Sequence, residues 1–442
     1  MPNPFLQDLD GRQNPILEGD LSLLGRNYVP DSFPHREGQI DHLVSLLKSV
    51  TRNINPSNIL IYGRTGSGKT SCVIHVTSML AEAMPGRVII KHINCQVYDS
   101  IYSILVSLVN SLSDNESQNI PVSGWTIDRI YSELIGRLSA KQSFLLIVLD
   151  EIDKLIQKGG SDSVYVLLKI ADDLKEKGSS IIGITNYIGF LDSLDSRVQS
   201  RLSQETVMFP PYNANELKDI LEFRIKGILK PDAINEGTIA LCAAIGAQEH
   251  GDARKALDLL KLAVEIAIRN GRSKVGEEEI IQAKETLEVN VLKETIRGLP
   301  LHSKFVLLSA ILSEELTKRP SFTGEIYSNY CRIASEVGYS PLTPRRVGDI
   351  ISDLDEYGLI TTKIASMGRH GRTRYIEANE KREEMKNYIL EEEIFSGFRG
   401  KNIGKQTRFE EDWLGGEKDR LQNVMETTMD PDSIQEREDK RE

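Results

Sequence analysis

One stretch of the chain restricts its fold more than any other: "SNILIYGRTGSGKTSCVIHVTSMLAEAM", residues 57–84. A short apolar run reads as a buried strand, a glycine-rich turn follows, and the apolar spacing after it predicts an amphipathic helix. Gly63, Gly66 and Gly68 let the backbone curl until its N–H groups point inward at phosphate oxygens, and the helix N-terminus adds partial positive charge. The complete GxxxxGK[ST] pattern makes Gly63, Arg64, Thr65, Gly66, Ser67, Gly68, Lys69, Thr70 and Ser71 the expected nucleotide cradle. Lys69 is expected to reach the β- and γ-phosphates of ATP, and Thr70 to offer its hydroxyl to Mg2+. A strand, loop and helix of this kind imply an α/β fold with a parallel sheet.

Two further strands carry matching chemistry. "FLLIVLDEIDKL" is apolar throughout until it ends in carboxylates, as a strand buried on both faces does. Asp150 is expected in the Mg2+ shell and Glu151 as the base that orients and deprotonates the attacking water; Asp153 lies further out and reads as structural. "SSIIGITN" is a second apolar strand ending in Asn186, whose amide can hold that water or sense the γ-phosphate. A lone asparagine there would be a turn residue; its place in this order gives it the role.

Together these segments resemble the AAA+ ATPases, in which a sensor strand lies between the two phosphate-binding strands. The resemblance implies further residues. "LDSRVQSRLSQETVMFPPY" matches the segment that offers an arginine finger to a neighbouring subunit, with Arg201 the first choice and Arg197 the second; either could instead pair with acids on its own surface. "GDARKALDLLKLA" opens a helix of the small helical lid, where Arg254 matches an arginine that contacts the γ-phosphate in cis. Tyr212 and Arg224, in the connection to that lid, are implied to border the adenine and phosphate sides of ATP or ADP.

Beyond the lid, "LPLHSKFVLLSAILSEEL" has the spacing of an amphipathic helix, with Phe305, Leu308, Ile311 and Leu312 on one side. "FTGEIYSNYCRIASEVGY" predicts a second helix, and "PRRVGDIISDLDEYGLI" a third, with Thr343 as its cap and Pro344 at its first position. The strands "LITTKIA" and "TRYIEA" then flank a glycine-rich arginine cluster, "GRHGRTRY", residues 368–375. Helix, helix, helix, hairpin is the order of a winged helix, whose third helix enters a DNA major groove while the wing lies along the backbone or in the minor groove. Arg345 and Arg346 are expected at the groove edge, and Arg369 and Arg372 at the wing tip against phosphates or a narrow minor groove, with Arg374 as a further DNA-binding residue of the same cluster. The bland alternative is a winged helix that binds protein.

Charge does not exclude a nucleic-acid partner. The formal charge is −11, but residues 391–442 hold 15 acidic against 9 basic residues, so −6 of it lies in a polar segment expected to be disordered. Cys72, Cys95, Cys242 and Cys331 are scattered, as packed thiols rather than bridges or zinc ligands. No apolar run reaches the length of a membrane span and the N-terminus lacks a signal pattern, which reads as an intracellular, cytoplasmic protein with no membrane partner.

An AAA+ core followed by such a winged helix resembles the archaeal initiators related to the eukaryotic origin recognition complex and its cell-division-cycle loading partner. "RNYVPDSFPHREGQIDHLVSLL" matches that family's lead into the ATPase domain, with the segment from Val29 to Arg36 packed near the adenine. "IPVSGWTIDRIYSELIGRL" matches a helical insertion that makes a second DNA contact, in which Trp125 and Arg129 would meet the minor groove; Trp125 could equally staple a helix start to the core. The implied layout is an N-terminal extension (1–19), an AAA+ base with a P-loop parallel sheet (20–206), a helical lid (207–292), a winged-helix domain (293–390) and an acidic tail (391–442). The implied function is an origin-binding replication initiator with slow, regulatory ATP hydrolysis. Its partners would be double-stranded origin DNA, the replicative helicase, and paralogous initiators or further copies of itself. Two rivals remain: a signalling NTPase whose winged helix binds protein, and a clamp-loader-like or transposition-associated ATPase.

Overall fold

The computed structural model describes residues 14–398, apart from 26–27, 114, 116–117, 142, 175–177 and 367–371. The chain divides into two compact units, Met1–Thr286 and Leu287–Glu442.

The first unit alternates helix and strand: α1 (Glu37–Leu47), β1 (Ile59–Gly63), α2 (Lys69–Ala83), β2 (Val88–Asn94), α3 (Ile101–Ser111), α4 (Ile127–Lys141), β3 (Phe144–Asp150), α5 (Ile152–Asp173), β4 (Ser179–Thr185), α6 (Ser196–Leu202) and β5 (Glu205–Phe209). Right-handed crossovers through helices demand parallel pairing, and the sheet is parallel throughout in the order β2-β3-β4-β1-β5. Every residue of β4, and all of β3 except Asp150, is buried, so the uninterrupted apolar runs reflect burial on both faces. Separate apolar cores cover the two faces, one beneath α3, α4 and α5, the other beneath α1 and α2. Because β4 lies between β1 and β3, the loops that follow all three open at one end of the sheet, the position a ligand takes in such folds.

Helices α7 (Ala214–Ile225), α8 (Glu236–Gln248) and α9 (Ala253–Arg269) follow, each started by a side-chain cap from Asn213, Asn235 and Asp252. The boundary expected at 206 falls inside β5, which runs on to Phe209. From Asn14 onward the expected N-terminal extension is packed in place. Ile16 is fully buried, and its carbonyl accepts from Lys230 N–H at 2.9 Å. Glu18 and Gly19 N–H also donate to Ile228 O, at 2.9 and 3.1 Å.

Helix α10 (Glu277–Gly298) runs through the boundary expected at 292 and carries the chain into the second unit. There α11 (Leu301–Thr317), β6 (Ser321–Phe322), α12 (Thr323–Glu336), α13 (Pro344–Glu356), β7 (Ile360–Ser366), β8 (Arg372–Ala378) and α14 (Arg382–Glu391) follow in turn. The antiparallel sheet has the order β6-β8-β7. This is the helix, helix, helix, hairpin arrangement, with one difference. Residues Ser303–Glu314 of α11 are buried on all sides, not along one stripe, because α12, α13, α14 and β8 all pack on it.

The end of this unit narrows the tail expected to be largely disordered. Residues Glu393–Phe398 form a 3-10 turn, and Phe395 is fully buried with its ring 5.5 Å from that of Phe305. Two aromatic residues outweigh the polar composition around them. The rest of the tail, 399–442, lies outside the described residues. The four cysteines are free, and burial pushes the thiols of Cys72, Cys95 and Cys242 up to about 12, which leaves them inert. Among the described residues no helix is long and apolar enough to cross a membrane.

Candidate nucleotide site and nucleic-acid interface

β1 delivers the chain to the glycine loop, and α2 starts at Lys69 with Gly68 as its cap in the left-handed region at φ 90°. The loop is pressed from the lid side. A Cβ at Gly66 would stand 1.8 Å from Asp252 Oδ1, and one at Gly68 would stand 2.9 Å from the Tyr212 hydroxyl. Ala253 N–H, at the start of α9, donates to Gly66 O at 3.2 Å. The glycines therefore admit a neighbour as well as a curve in the backbone.

Lys69 is buried, and its Nζ donates to Gly63 O and Arg64 O, both at 2.8 Å. Burial, and then the charge of Arg254, push its amine down to about 8. Thr70 Oγ1 donates to Asp150 Oδ2 at 2.9 Å, so the two expected Mg2+ ligands touch between the start of α2 and the end of β3. An all-oxygen pair of hydroxyl and carboxylate at a phosphate loop fits Mg2+. Glu151 sits between β3 and α5 with φ 56°, and its Oε2 is buried without a hydrogen-bond partner. Asp153 Oδ1 accepts from Thr185 Oγ1 at 2.8 Å, which ties the end of β4 to the start of α5 and sets Asn186 exposed beside Glu151's loop.

A cavity beside the loop is lined by Tyr28, Pro30 and Phe33 on one side and by Ser71, Arg224 and Arg254 on another. Tyr212 also borders it. Val29 points elsewhere: it packs on the core under α1 and α2, while its neighbours Tyr28 and Pro30 face the cavity. Arg224 donates through Nη2 to Leu23 O and has its guanidinium 5.0 Å from the Tyr28 ring centre. Arg64 and Thr65 are exposed at the loop's crest, and Ser67 is fully buried.

Both finger candidates are engaged within their own chain. Arg201 Nη2 meets both carboxylate oxygens of Asp172 at 2.8 Å, and Arg197 Nη2 meets Asp195 at 2.7 Å. In the insertion, Trp125 packs partly on the core while Arg129 stacks over its ring at 3.7 Å. The neighbouring Val122 is 81% exposed. Among the residues that the sequence did not single out is Arg36, only 1% exposed and hydrogen-bonded to the phosphate loop through Ser67 O at 3.0 Å. A full charge immediately ahead of an apolar helix was the available signal.

In the second unit, Thr343 Oγ1 accepts from Arg346 N–H at 3.5 Å and caps α13 as expected. Arg345 and Arg346 stand exposed at that end, with Arg346 3.6 Å from Asp349. Further along the same helix the exposed residues are Asp349, Ser352, Asp353 and Glu356. Arg374 Nη1 donates to Ser352 Oγ at 2.7 Å, fastening β8 to α13. Arg369, with Gly368 and Gly371, lies outside the described residues, as does the side chain of Arg372.

Residues 32–177 match the AAA ATPase domain family, residues 218–285 the Cdc6 AAA+ ATPase-type lid domain, and residues 294–388 the CDC6 C-terminal winged helix domain. The chain is 49% identical over 410 residues to "ORC1-type DNA replication protein 2" of Thermoplasma acidophilum, covering 93% of this chain and 100% of that one. It is 50% identical over 408 residues to an "ORC1-type DNA replication protein" of Picrophilus torridus, covering 92% and 98%. Among solved structures, the Aeropyrum pernix ORC1 protein in complex with DNA superposes with a TM-score of 0.76 at 36% identity, covering 87% of this chain and all of that one.

Proposed function

The chain belongs to the archaeal ORC1-type DNA replication proteins, AAA+ ATPases with a Cdc6-type lid and winged helix, and from that premise we propose that it is an origin-binding initiator switched by slow ATP hydrolysis. The observation that carries this reading is a joint one. A phosphate loop with Lys69, Thr70, Asp150 and Glu151 assembled shares a chain with a winged helix whose third helix presents Arg345 and Arg346.

At the nucleotide, Lys69 and the loop amides bind the phosphates, and the ring of Tyr28 with Pro30 and Phe33 receives the base. Mg2+, held by Thr70 and Asp150, would offset phosphate charge. Glu151 orients the attacking water and takes its proton, and Asn186 holds that water from the neighbouring strand. Arg254 contacts the γ-phosphate in cis. Arg201, or Arg197, would leave its own carboxylate partner to act on a neighbouring subunit, either a second copy or a paralogue. The ATP-bound state would then favour DNA binding and recruitment of the replicative helicase. Trp125 and Arg129 would supply a second DNA contact.

The depressed amine of Lys69 has a pH consequence. Above about 8 a growing fraction of Lys69 is neutral, and phosphate binding must restore its proton. Nucleotide affinity is expected to be flat on the acid side of that value, to fall as pH rises through it, and to be accompanied by proton uptake. Calorimetry in buffers of different ionisation enthalpy measures that uptake; none at pH 8.5 would contradict a depressed Lys69.

DNA binding is tested at α13. Replacing Arg345 and Arg346 by alanine removes two phosphate contacts, so the slope of log affinity against log salt is expected to shrink by about 2. Nucleotide binding should be unaffected. The acidic remainder of α13's exposed face favours a second reading, a winged helix that docks a basic protein. Identical salt titrations for the double variant and the parent on origin and scrambled duplexes would support that rival.

A further inference from the structure

Arg36 ends the segment that leads into α1, and its neighbour His35 takes a left-handed φ of 65°. Its side chain makes no helix cap. It runs inward instead, where Nε donates to Ser67 O at 3.0 Å, Nη1 to His35 O at 3.0 Å and Nη2 to Pro210 O at 2.5 Å. The guanidinium carbon lies over the Tyr212 ring, 3.8 Å from its centre. These three acceptors are main-chain carbonyls of the opening segment, the phosphate loop and the connection from β5 to α7. Burying a cation on neutral acceptors, close to Lys69, is costly, and an apolar residue would fill the space more cheaply.

The geometry gives that cost a use. In a trans peptide the C=O and the following N–H point in opposite directions. Holding the Ser67 carbonyl on the Arg36 side turns the Gly68 N–H the other way, toward the phosphates. The same guanidinium grips Pro210 and stacks on Tyr212, whose hydroxyl packs against Gly68. We propose that Arg36 is a positioning residue that sets the Ser67–Gly68 peptide for phosphate and links that setting to the connection that carries the lid. This rests on the nucleotide reading of the loop.

The test compares Arg36→Met and Arg36→Lys with the parent, using calorimetric titration of ATP and of ADP with Mg2+, and thermal unfolding with and without nucleotide. Amide exchange over residues 64–69 is followed in the same samples. Arg36→Met is expected to weaken both nucleotides by about tenfold or more, since a charged hydrogen bond shapes the loop that meets the phosphates common to ATP and ADP. Nucleotide should also slow exchange in the loop less than in the parent. Arg36→Lys keeps the charge but can neither reach three acceptors nor stack as a plane, so it should stay closer to the methionine variant. Parent-like affinity in Arg36→Lys would overturn the proposal, because charge alone would then suffice. So would an Arg36→Met protein with a lower melting temperature but unchanged affinity per folded molecule. If Arg36→Met does not fold, the lysine variant and its loop exchange decide. A parent that binds neither nucleotide would fail the nucleotide reading itself and take the proposal with it, an outcome visible without any variant.

Discussion

A Glu151→Gln protein is expected to bind ATP as tightly as the parent and to hydrolyse it about 10²–10⁴-fold more slowly, the usual contribution of a positioned general base. The amide matches the carboxylate in size, so the left-handed turn at φ 56° and the start of α5 are preserved. Asp150 keeps its hydrogen bond to Thr70, since neither group is altered. What the substitution removes is basicity at Oε2, a buried oxygen with no hydrogen-bond partner of its own. An amide in its place can still accept a hydrogen bond but can no longer take a proton from water. Single-turnover hydrolysis and nucleotide affinity, measured separately, check the expectation. Hydrolysis at the parent rate would remove Glu151 from the chemistry. Hydrolysis lost together with binding would make it a structural residue of the loop.

The parts of this site legible in the sequence are those whose chemistry is local. Lys69 and Thr70 follow their glycines by fixed steps, and Asp150 and Glu151 close an apolar run, so spacing alone places each at the glycine-rich loop's end of the sheet. The order of strands then brings Asn186 into the same loop cluster. Other features depend on partners far along the chain. Arg201 meets Asp172 on α5, and Arg36 reaches Ser67 and Pro210, contacts that no window of sequence contains. Val29 shows the limit in reverse: its segment lies at the cavity, but its own side chain packs on the core while Tyr28 and Pro30 line the cavity. Composition misled only where it was averaged. Ile16, Phe395 and Phe398 are apolar anchors in polar surroundings, and each is buried. The helix α11 carries Ser303, Ser309 and Ser313 inside the second unit, so its polar positions imitated an exposed face that packing closes.

Replacing Lys69 by alanine is expected to abolish nucleotide binding while leaving the unliganded protein as stable as the parent, or more so. Two effects set the first part. Hydrogen bonds from a charged donor contribute about 1.5–3 kcal/mol each, so losing an ammonium shared by two phosphates costs on the order of 100-fold or more in affinity. The second part follows from how Lys69 is held. Its amine is pushed down to about 8 by burial first and by Arg254 next, so in the absence of nucleotide the charged form is disfavoured in the fold. Its bonds to Gly63 O and Arg64 O offset part of that cost. Alanine removes the repulsion and the bonds together, and the first unit retains its sheet and both cores. The distinguishing measurement is thermal unfolding with and without ATP and Mg2+. At 100 times its dissociation constant, a ligand stabilises the parent by about 2.7 kcal/mol; the Lys69→Ala protein should show no such shift over an unchanged baseline. A large fall in the unliganded melting temperature would mean that Lys69 holds the loop together instead of serving the phosphates. A ligand shift equal to the parent's would place nucleotide binding elsewhere.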